Sequence, residues 1–348
     1  MIEILVCNGY ATVQDMGRPG FRHLGVPLSG ALDPVFLQLA NALVQNPPTA
    51  ATIEMRLVGP RLHALTPVLI ALTGSVDGRI ESVDGDLRPA DAWASHHLRT
   101  GDTLILGEVQ GGVAYLAIAG GVDVPLVLGS RSTYARARFG GLEGRQLAIG
   151  DKIKIARCPE QLGEADALRD RELRLPDPPR LDRSPIRVLA GPQREHFTTL
   201  AWSRLTSEAL VVSHQADRMG LRLNGLRLDH DPRYGADIVS EAVTPGAIQV
   251  PGDGRPIVLL ADCQTVGGYP IIATVIGADL PRLGHALPGQ ALRFVEVDLR
   301  QALAARHQTA AELAARIASL RPSHSAFDAD ALYAANLIDG VIDANHAA

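Results

Sequence analysis

Asp262 and Gln264 stand two residues apart in a stretch that runs on into Gly267-Gly268-Tyr269-Pro270. Side chains spaced by two share one side of an extended strand. An acid beside a carboxamide on one side can orient and polarise an amide such as urea or a lactam. Ser240 and Glu241 can join this pair. Upstream, Gln249 and Asp253 form a second polar cluster on a hairpin that runs from Gly246–Val250 through Pro251-Gly252-Asp253-Gly254 to Pro256–Ala261. Asp-Gly is a strong hairpin signal. With Asp253-Gly254 as the turn residues, Gln249 falls near Pro256 and Asp262 near Val243 or Thr244. The two clusters are then expected about 20 Å apart at strand rise.

Other residues add charge and proton chemistry. Arg131, between Ser130 and Ser132, can hold an anion through its planar guanidinium, and so can Arg218. His23 is a candidate general base, since histidine is the residue type best suited to proton transfer near neutral pH. The catalytic candidates are Asp262, Gln264, Asp253 and His23. The binding candidates are Arg131, Ser132, Arg218, Gln249, Gly267, Gly268 and Tyr269. Each has a plainer alternative. Aspartate suits turns, so Asp253 can be purely structural, and Asp262 can simply cap its loop. The arginines can make ordinary ion pairs, His23 can be a hydrogen-bonded structural residue, and Gly267-Gly268 can serve a bulge. Cys263 is a poor nucleophile, because a neighbouring carboxylate raises a thiol pKa. On the functional reading, Asp262→Asn and Gln264→Ala abolish turnover and leave the melting temperature nearly unchanged.

The elements that position these residues read mainly as short strands between Gly, Pro and Asp turns. Val68–Thr73, Thr103–Leu106, Val113–Ala119, Ile186–Leu189 and Ile257–Ala261 are examples. One early helix is signalled by Asp33 as N-cap and Pro34 at the first helical position, followed by an apolar stripe that ends before Asn46-Pro47-Pro48. Residues 159–184 are charged and Pro-rich and read as a linker. The expected division is residues 1–165, then 185–299, then a helical extension over 300–348. In that extension the apolar patch Leu337, Ile338, Val341 and Ile342 is a candidate docking surface.

Composition excludes several classes. The chain has 348 residues, 46% of them hydrophobic, and a net charge of -5, which suits neither disorder nor nucleic-acid binding. No apolar run is long enough for a membrane span, and no secretion signal is evident. Cys7, Cys158 and Cys263 form no C-x-x-C pattern, so neither a disulfide framework nor a cysteine zinc site is expected, and a reducing cytoplasm is. His96-His97 are neighbours on a strand and point apart, which makes a poor metal chelate. No P-loop, Rossmann glycine pattern, H-E-x-x-H or G-x-S-x-G occurs.

Four Gly-dense polar strings stand out. They are Thr12–Gly20 continuing to Asp33; Gly120–Pro125 with Leu128–Tyr134 and Phe139-Gly140-Gly141; Asp217–Gly220; and Pro245–Gly254 leading to Asp262–Pro270. In this order they resemble the allophanate hydrolase subunit 2 or biotin-dependent carboxyltransferase family, from about Thr12 to Phe294. The resemblance implies β-rich, open-barrel subdomains related to the cyclophilin fold and a subunit 1 partner. It implies one of three functions. The favoured one is a subunit of an ATP-dependent oxoprolinase, working with a subunit 1 homologue and a third subunit, inactive alone. The second is a carboxyltransferase moving CO2 from carboxybiotin to urea or a related amide. The third is a non-enzymatic regulator that binds a kinase-inhibitor protein. No Met-Lys-Met occurs, so the chain is not itself a biotin carrier of the familiar kind. Two positions depart from the family pattern: Ile271, where a basic residue is common, and His285, where glutamine is common.

Overall fold

The computed structural model describes residues 1–156 and 171–323. The apolar patch at Leu337, Ile338, Val341 and Ile342, and Cys158, lie outside the described residues. The mainly β character is as expected, but the open-barrel expectation is corrected: the first unit is two stacked sheets, and the second is a closed barrel because its first and last strands pair.

The first unit stacks two sheets. A six-stranded sheet runs Lys152–Ile153, Ile2–Val6, Arg61–Ala64, Thr103–Val109, Val76–Glu81, Leu87–Pro89. A seven-stranded sheet runs Tyr10–Gln14, Thr52–Arg56, Ala114–Ile118, Val68–Thr73, Ala94–Leu98, Leu173–Arg174, Arg321–Pro322. Strand Val68–Thr73 is buried throughout. Val68, Ile70 and Leu72 face the other sheet, while Leu69 and Ala71 face a helix on the outer side. Burial on both faces is why this strand reads as an unbroken apolar run rather than an alternation.

That outer helix is Pro34–Leu43. Asp33 Oδ1 accepts from the backbone N–H of Val35 at 2.8 Å and of Phe36 at 3.0 Å, as an N-cap should. The helix stops three residues before Asn46, where Asn46 N–H turns back to the Asn41 carbonyl at 2.8 Å.

The second unit is a barrel of Ile186–Ala190, Ile271–Val275, Ala247–Gln249, Ile257–Leu259, Gly220–Asn224, Ala209–Ala216 and Ala291–Glu296. It is closed, because Ile186–Ala190 pairs in parallel with Ala291–Glu296. Val188, Leu210, Leu223, Ile248, Val258, Ile272 and Phe294 belong to its core, and Leu32 of the first unit is inserted among them. The terminal helix Leu299–Ala318 starts on a reciprocal capping box between Asp298 and Gln301. The chain then returns to the first unit, where Arg321–Pro322 pairs with Leu173–Arg174. Part of the charged stretch read as a linker is thus a strand of the first unit's sheet, between Ala94–Leu98 and Arg321–Pro322.

Candidate functional site

The hairpin differs from the sequence reading. Gly254 N–H bonds the Pro251 carbonyl at 2.8 Å, so Gly252-Asp253, not Asp253-Gly254, are central in the turn. Gln249 pairs with Ile257, one residue beyond the expected Pro256. The larger correction lies downstream. The strand ends at Leu259, and Cys263 N–H bonds the Leu260 carbonyl at 3.1 Å, so the chain turns before Gln264. The two-residue rule holds only for an extended strand. Asp262 and Gln264 therefore diverge instead of sharing a side. The expected separation of Gln249 from Gln264 also fails: Gln264 Nε2 donates to Gln249 Oε1 at 3.1 Å.

Asp262 enters a buried ionic network between the two units. Arg218 grips it side-on, with Nε to Oδ2 at 2.8 Å and Nη2 to Oδ1 at 3.1 Å. Arg218 Nη1 donates to Glu54 Oε1, and Nη2 also donates to the Gly30 carbonyl at 2.6 Å. Glu54 Oε2 accepts from Tyr115 Oη at 2.7 Å and from Leu32 N–H at 2.8 Å. Burial alone would pull the Arg218 pKa down, but Glu54 and Asp262 outweigh it, so the guanidinium stays charged. Burial, with Glu54 beside it, pushes the Tyr115 phenol well above its usual range. Asp262→Asn is accordingly expected to lower stability, contrary to the sequence reading, because it removes charge from a buried pair.

His285 extends the contact between units. Its Nε2 meets Asp33 Oδ2 at 2.8 Å and its Nδ1 meets the Gly111 carbonyl. His285 thus joins the second unit to the N-cap of the first unit's helix. Ile271 is core: it packs with Val243, Ala247, Leu259 and Cys263.

Arg218 and Asp262 line a cleft of about 540 Å³ whose walls include Tyr10, Arg56, Tyr134, Arg136 and His214. Burial raises the Tyr10 and Tyr134 phenols, and Asp262 adds to both shifts, so both remain protonated donors at neutral pH. Asp262 keeps acceptor capacity beyond its two bonds to Arg218, because a carboxylate has about four lone-pair sites. The cleft thus offers phenolic donors, a carboxylate acceptor and guanidinium charge. A larger groove of about 960 Å³, lined by Trp93, Arg79 and His285 among others, holds none of the candidate residues.

The remaining candidates lie elsewhere. Gln249 is buried and bridges Gln264 to the Tyr269 carbonyl, to which its Nε2 donates at 3.3 Å. Nearby, Gln193 Nε2 donates to Glu241 Oε2 at 2.9 Å, and Gln193 Oε1 accepts from Ile271 N–H at 3.1 Å. Glu241 therefore joins the carboxamides rather than Asp262. Gly267 lies directly against Gln249, while Gly268 and Tyr269 continue the loop outward. Ser132 is buried, and its hydroxyl donates to Asp15, which also accepts from Ser130 Oγ at 2.6 Å and from Arg131 N–H at 2.6 Å. The Arg131 side chain donates from Nε to the Val124 carbonyl at 3.0 Å. Ser132 and Arg131 thus brace a loop instead of lining the cleft. His23 is exposed on a short 3-10 helix, Arg22–Leu24, and Asp253 is exposed at the hairpin tip, where it accepts from Arg255 N–H at 3.0 Å. Neither lines the cleft.

Sequence reasoning missed Glu54, Tyr10, Tyr134, Arg56 and Arg136. Glu54 carried no signal: between Ile53 and Met55 it reads as the outward position of an alternating strand, and only the packing of the second unit buries it. Among the described residues no group of three or more His, Cys, Asp or Glu side chains is placed to hold a metal. No helix among them is long and apolar enough to cross a membrane.

Cys263 is fully buried, and burial raises its thiol pKa despite Arg22 nearby. Iodoacetamide at pH 8 is therefore expected to leave Cys263 unmodified in the folded chain and to label it in urea. Peptide mass spectrometry reads the difference; rapid labelling of the folded chain would contradict the burial argument.

A family model described as a carboxyltransferase domain, subdomains A and B, matches residues 24–296. The chain is similar to a 5-oxoprolinase subunit of Escherichia coli (strain K12), at 37% identity over 309 residues, 88% of this chain and 94% of that protein. It is also similar to urea amidolyase of Lachancea kluyveri, at 31% identity over 326 residues, 86% of this chain but 17% of that protein. Among solved structures, Kluyveromyces lactis urea carboxylase superposes with a TM-score of 0.80 at 28% identity, covering 90% of this chain and 29% of that one.

Proposed function

The chain belongs to the family of carboxyltransferase domains built of subdomains A and B, and from this premise we propose that it is a subunit of an ATP-dependent 5-oxoprolinase. In this reading it opens the lactam of 5-oxoproline to L-glutamate with ATP and water. It does so with a subunit 1 homologue and a third subunit, in the cytoplasm. One observation carries the reading: the chain spans 94% of a relative named as a 5-oxoprolinase subunit, but 17% of the urea amidolyase.

The cleft chemistry suits a lactam. Its carbonyl takes a hydrogen bond from the Tyr10 or Tyr134 phenol, and its N–H donates to Asp262. Such paired contacts orient the ring and polarise the carbonyl. Arg218 acts through Asp262, as a positioning residue. The Gln249–Gln264 pair sits under Gly267-Gly268-Tyr269, where exposed Val266 and Tyr269 offer a face to the subunit 1 homologue. A site spread over several loops suits catalysis shared across an interface.

The second reading is carboxyl transfer from carboxybiotin to urea or a related amide, favoured by the fit to the urea carboxylase structure at a TM-score of 0.80. One experiment separates the two. The chain alone is expected to show no turnover with ATP and 5-oxoproline, and co-expression with its subunit 1 and third-subunit homologues is expected to restore it. Full turnover by the isolated chain would refute the shared-site reading. Turnover of carboxybiotin with urea, and none of 5-oxoproline, would select the second.

A further inference from the structure

Arg56 is half-buried and lines the Asp262 cleft beside Tyr10. Two paired strands fix this neighbourhood. Tyr10 stands directly opposite Arg56 in the antiparallel register of Tyr10–Gln14 and Thr52–Arg56. Side chains so paired leave the same face of the sheet, with Cβ atoms about 5 Å apart. Glu54 lies two residues back on that face, roughly 7 Å along the strand. There it holds Arg218 and, through it, Asp262. One strand face thus sets Arg56 and Tyr10 at a fixed offset from the Arg218–Asp262 pair.

The carboxylates around Arg56 are engaged elsewhere, and none among the described residues pairs with it. Glu54 accepts from Arg218, Tyr115 and Leu32, and Asp262 from Arg218. Asp217, on the cleft wall, accepts from Met219 N–H at 2.8 Å and Gly220 N–H at 3.2 Å. The Arg56 guanidinium therefore keeps its donors for a ligand in the cleft.

The layout of the cleft says where a ligand's charge would go. Asp262 acts on both Tyr10 and Tyr134, so it lies within reach of both ends. In 5-oxoproline the ring N–H sits between the carbonyl and the carbon that bears the carboxylate. With the N–H on Asp262, carbonyl and carboxylate point toward opposite ends. Each end has a phenol and an arginine, but they are not equivalent. Arg136, at the Tyr134 end, is exposed on the 3-10 turn Ala135–Ala137, and its Nη1 is turned to Met219 Sδ at 2.8 Å. Arg56 and Tyr10 stand side by side on paired strands, and strands hold a site more precisely than loops.

We propose that Arg56, with Tyr10, binds the α-carboxylate of the lactam, and that Tyr134 takes the ring carbonyl. Arg56 is then the residue that separates an amino-acid lactam from a plain one. This rests on the oxoprolinase reading for the identity of the lactam.

The test compares L-5-oxoproline with 2-pyrrolidone, the same ring without the carboxylate, by calorimetric titration of the full-length chain. The wild type is expected to bind 5-oxoproline about 10-fold more tightly, about 1.4 kcal/mol, the size of one hydrogen bond to a charged group. Arg56→Gln is expected to remove that preference and Arg136→Gln to keep it. A wild type without preference, a folded Arg56→Gln variant that keeps it, or a loss confined to Arg136→Gln would overturn the proposal. If Arg56→Gln does not fold, a crystal structure of the wild type with L-5-oxoproline decides. The carboxylate on Arg56 supports the site; the carboxylate on Arg136 or turned to solvent overturns it. Binding needs no turnover, so an assembled enzyme that leaves 5-oxoproline intact would sink the oxoprolinase reading without touching the preference. An active enzyme whose KM for 5-oxoproline is unchanged by Arg56→Gln would sink this proposal alone.

Discussion

Arg218→Met is expected to destabilise the chain by about 3–5 kcal/mol, the usual effect of removing one partner from a buried ion pair. The side chains of Arg218, Glu54 and Asp262 are 5%, 1% and 8% exposed, so water cannot replace the lost contacts. Methionine fills much of the volume but leaves two buried carboxylates facing each other. Asp262→Asn is expected to cost less, because the carboxamide oxygen still accepts from Arg218 and Glu54 still balances its charge. Chemical denaturation of both variants gives the order directly. An Arg218→Met chain within about 0.5 kcal/mol of wild type, the range of an ordinary surface substitution, would show that the network contributes nothing to folding. Activity measurements on Asp262 variants need this correction, since lost turnover and lost structure arrive together.

A single methyl group at Gly267 should have the next largest effect, this time on activity. The backbone there is not left-handed, so alanine brings no strain of its own. Its Cβ would instead overlap Nε2 of Gln249. Gln249 is buried and holds both Gln264 and the Tyr269 carbonyl, so displacing it moves the whole Gln264–Tyr269 loop. Misplacement by about 1 Å at such a site can cost about 10²-fold in rate. Turnover of the assembled enzyme should fall by that order in Gly267→Ala. Gly268→Ala is the control: its Cβ would come no closer than 3.4 Å to the Ile238 carbonyl oxygen, an ordinary contact. Equal activity in the two variants would remove the carboxamide pair from the mechanism.

Local chemistry was legible in the chain itself. Asp33-Pro34 announces a helix start because the cap and the fixed proline φ act within four residues. Val68–Thr73 announces a strand through its β-branched and apolar run. The Gly-dense strings mark the family because glycine is needed wherever backbone must turn left-handed, as at Gly17, Gly140 and Gly141. Proximity across the chain was not legible. Glu54 and Arg218 lie 164 positions apart and meet only because two units pack face to face. Asp262 and Gln264 are near neighbours in the chain yet serve different clusters, since one backbone turn at Leu260–Cys263 sends their side chains apart. Spacing rules assume a regular backbone, and this site is built where the backbone stops being regular. Tertiary packing alone turned Asp262 from a free acid into half of a buried ion pair, because only packing decides which charges lose their water.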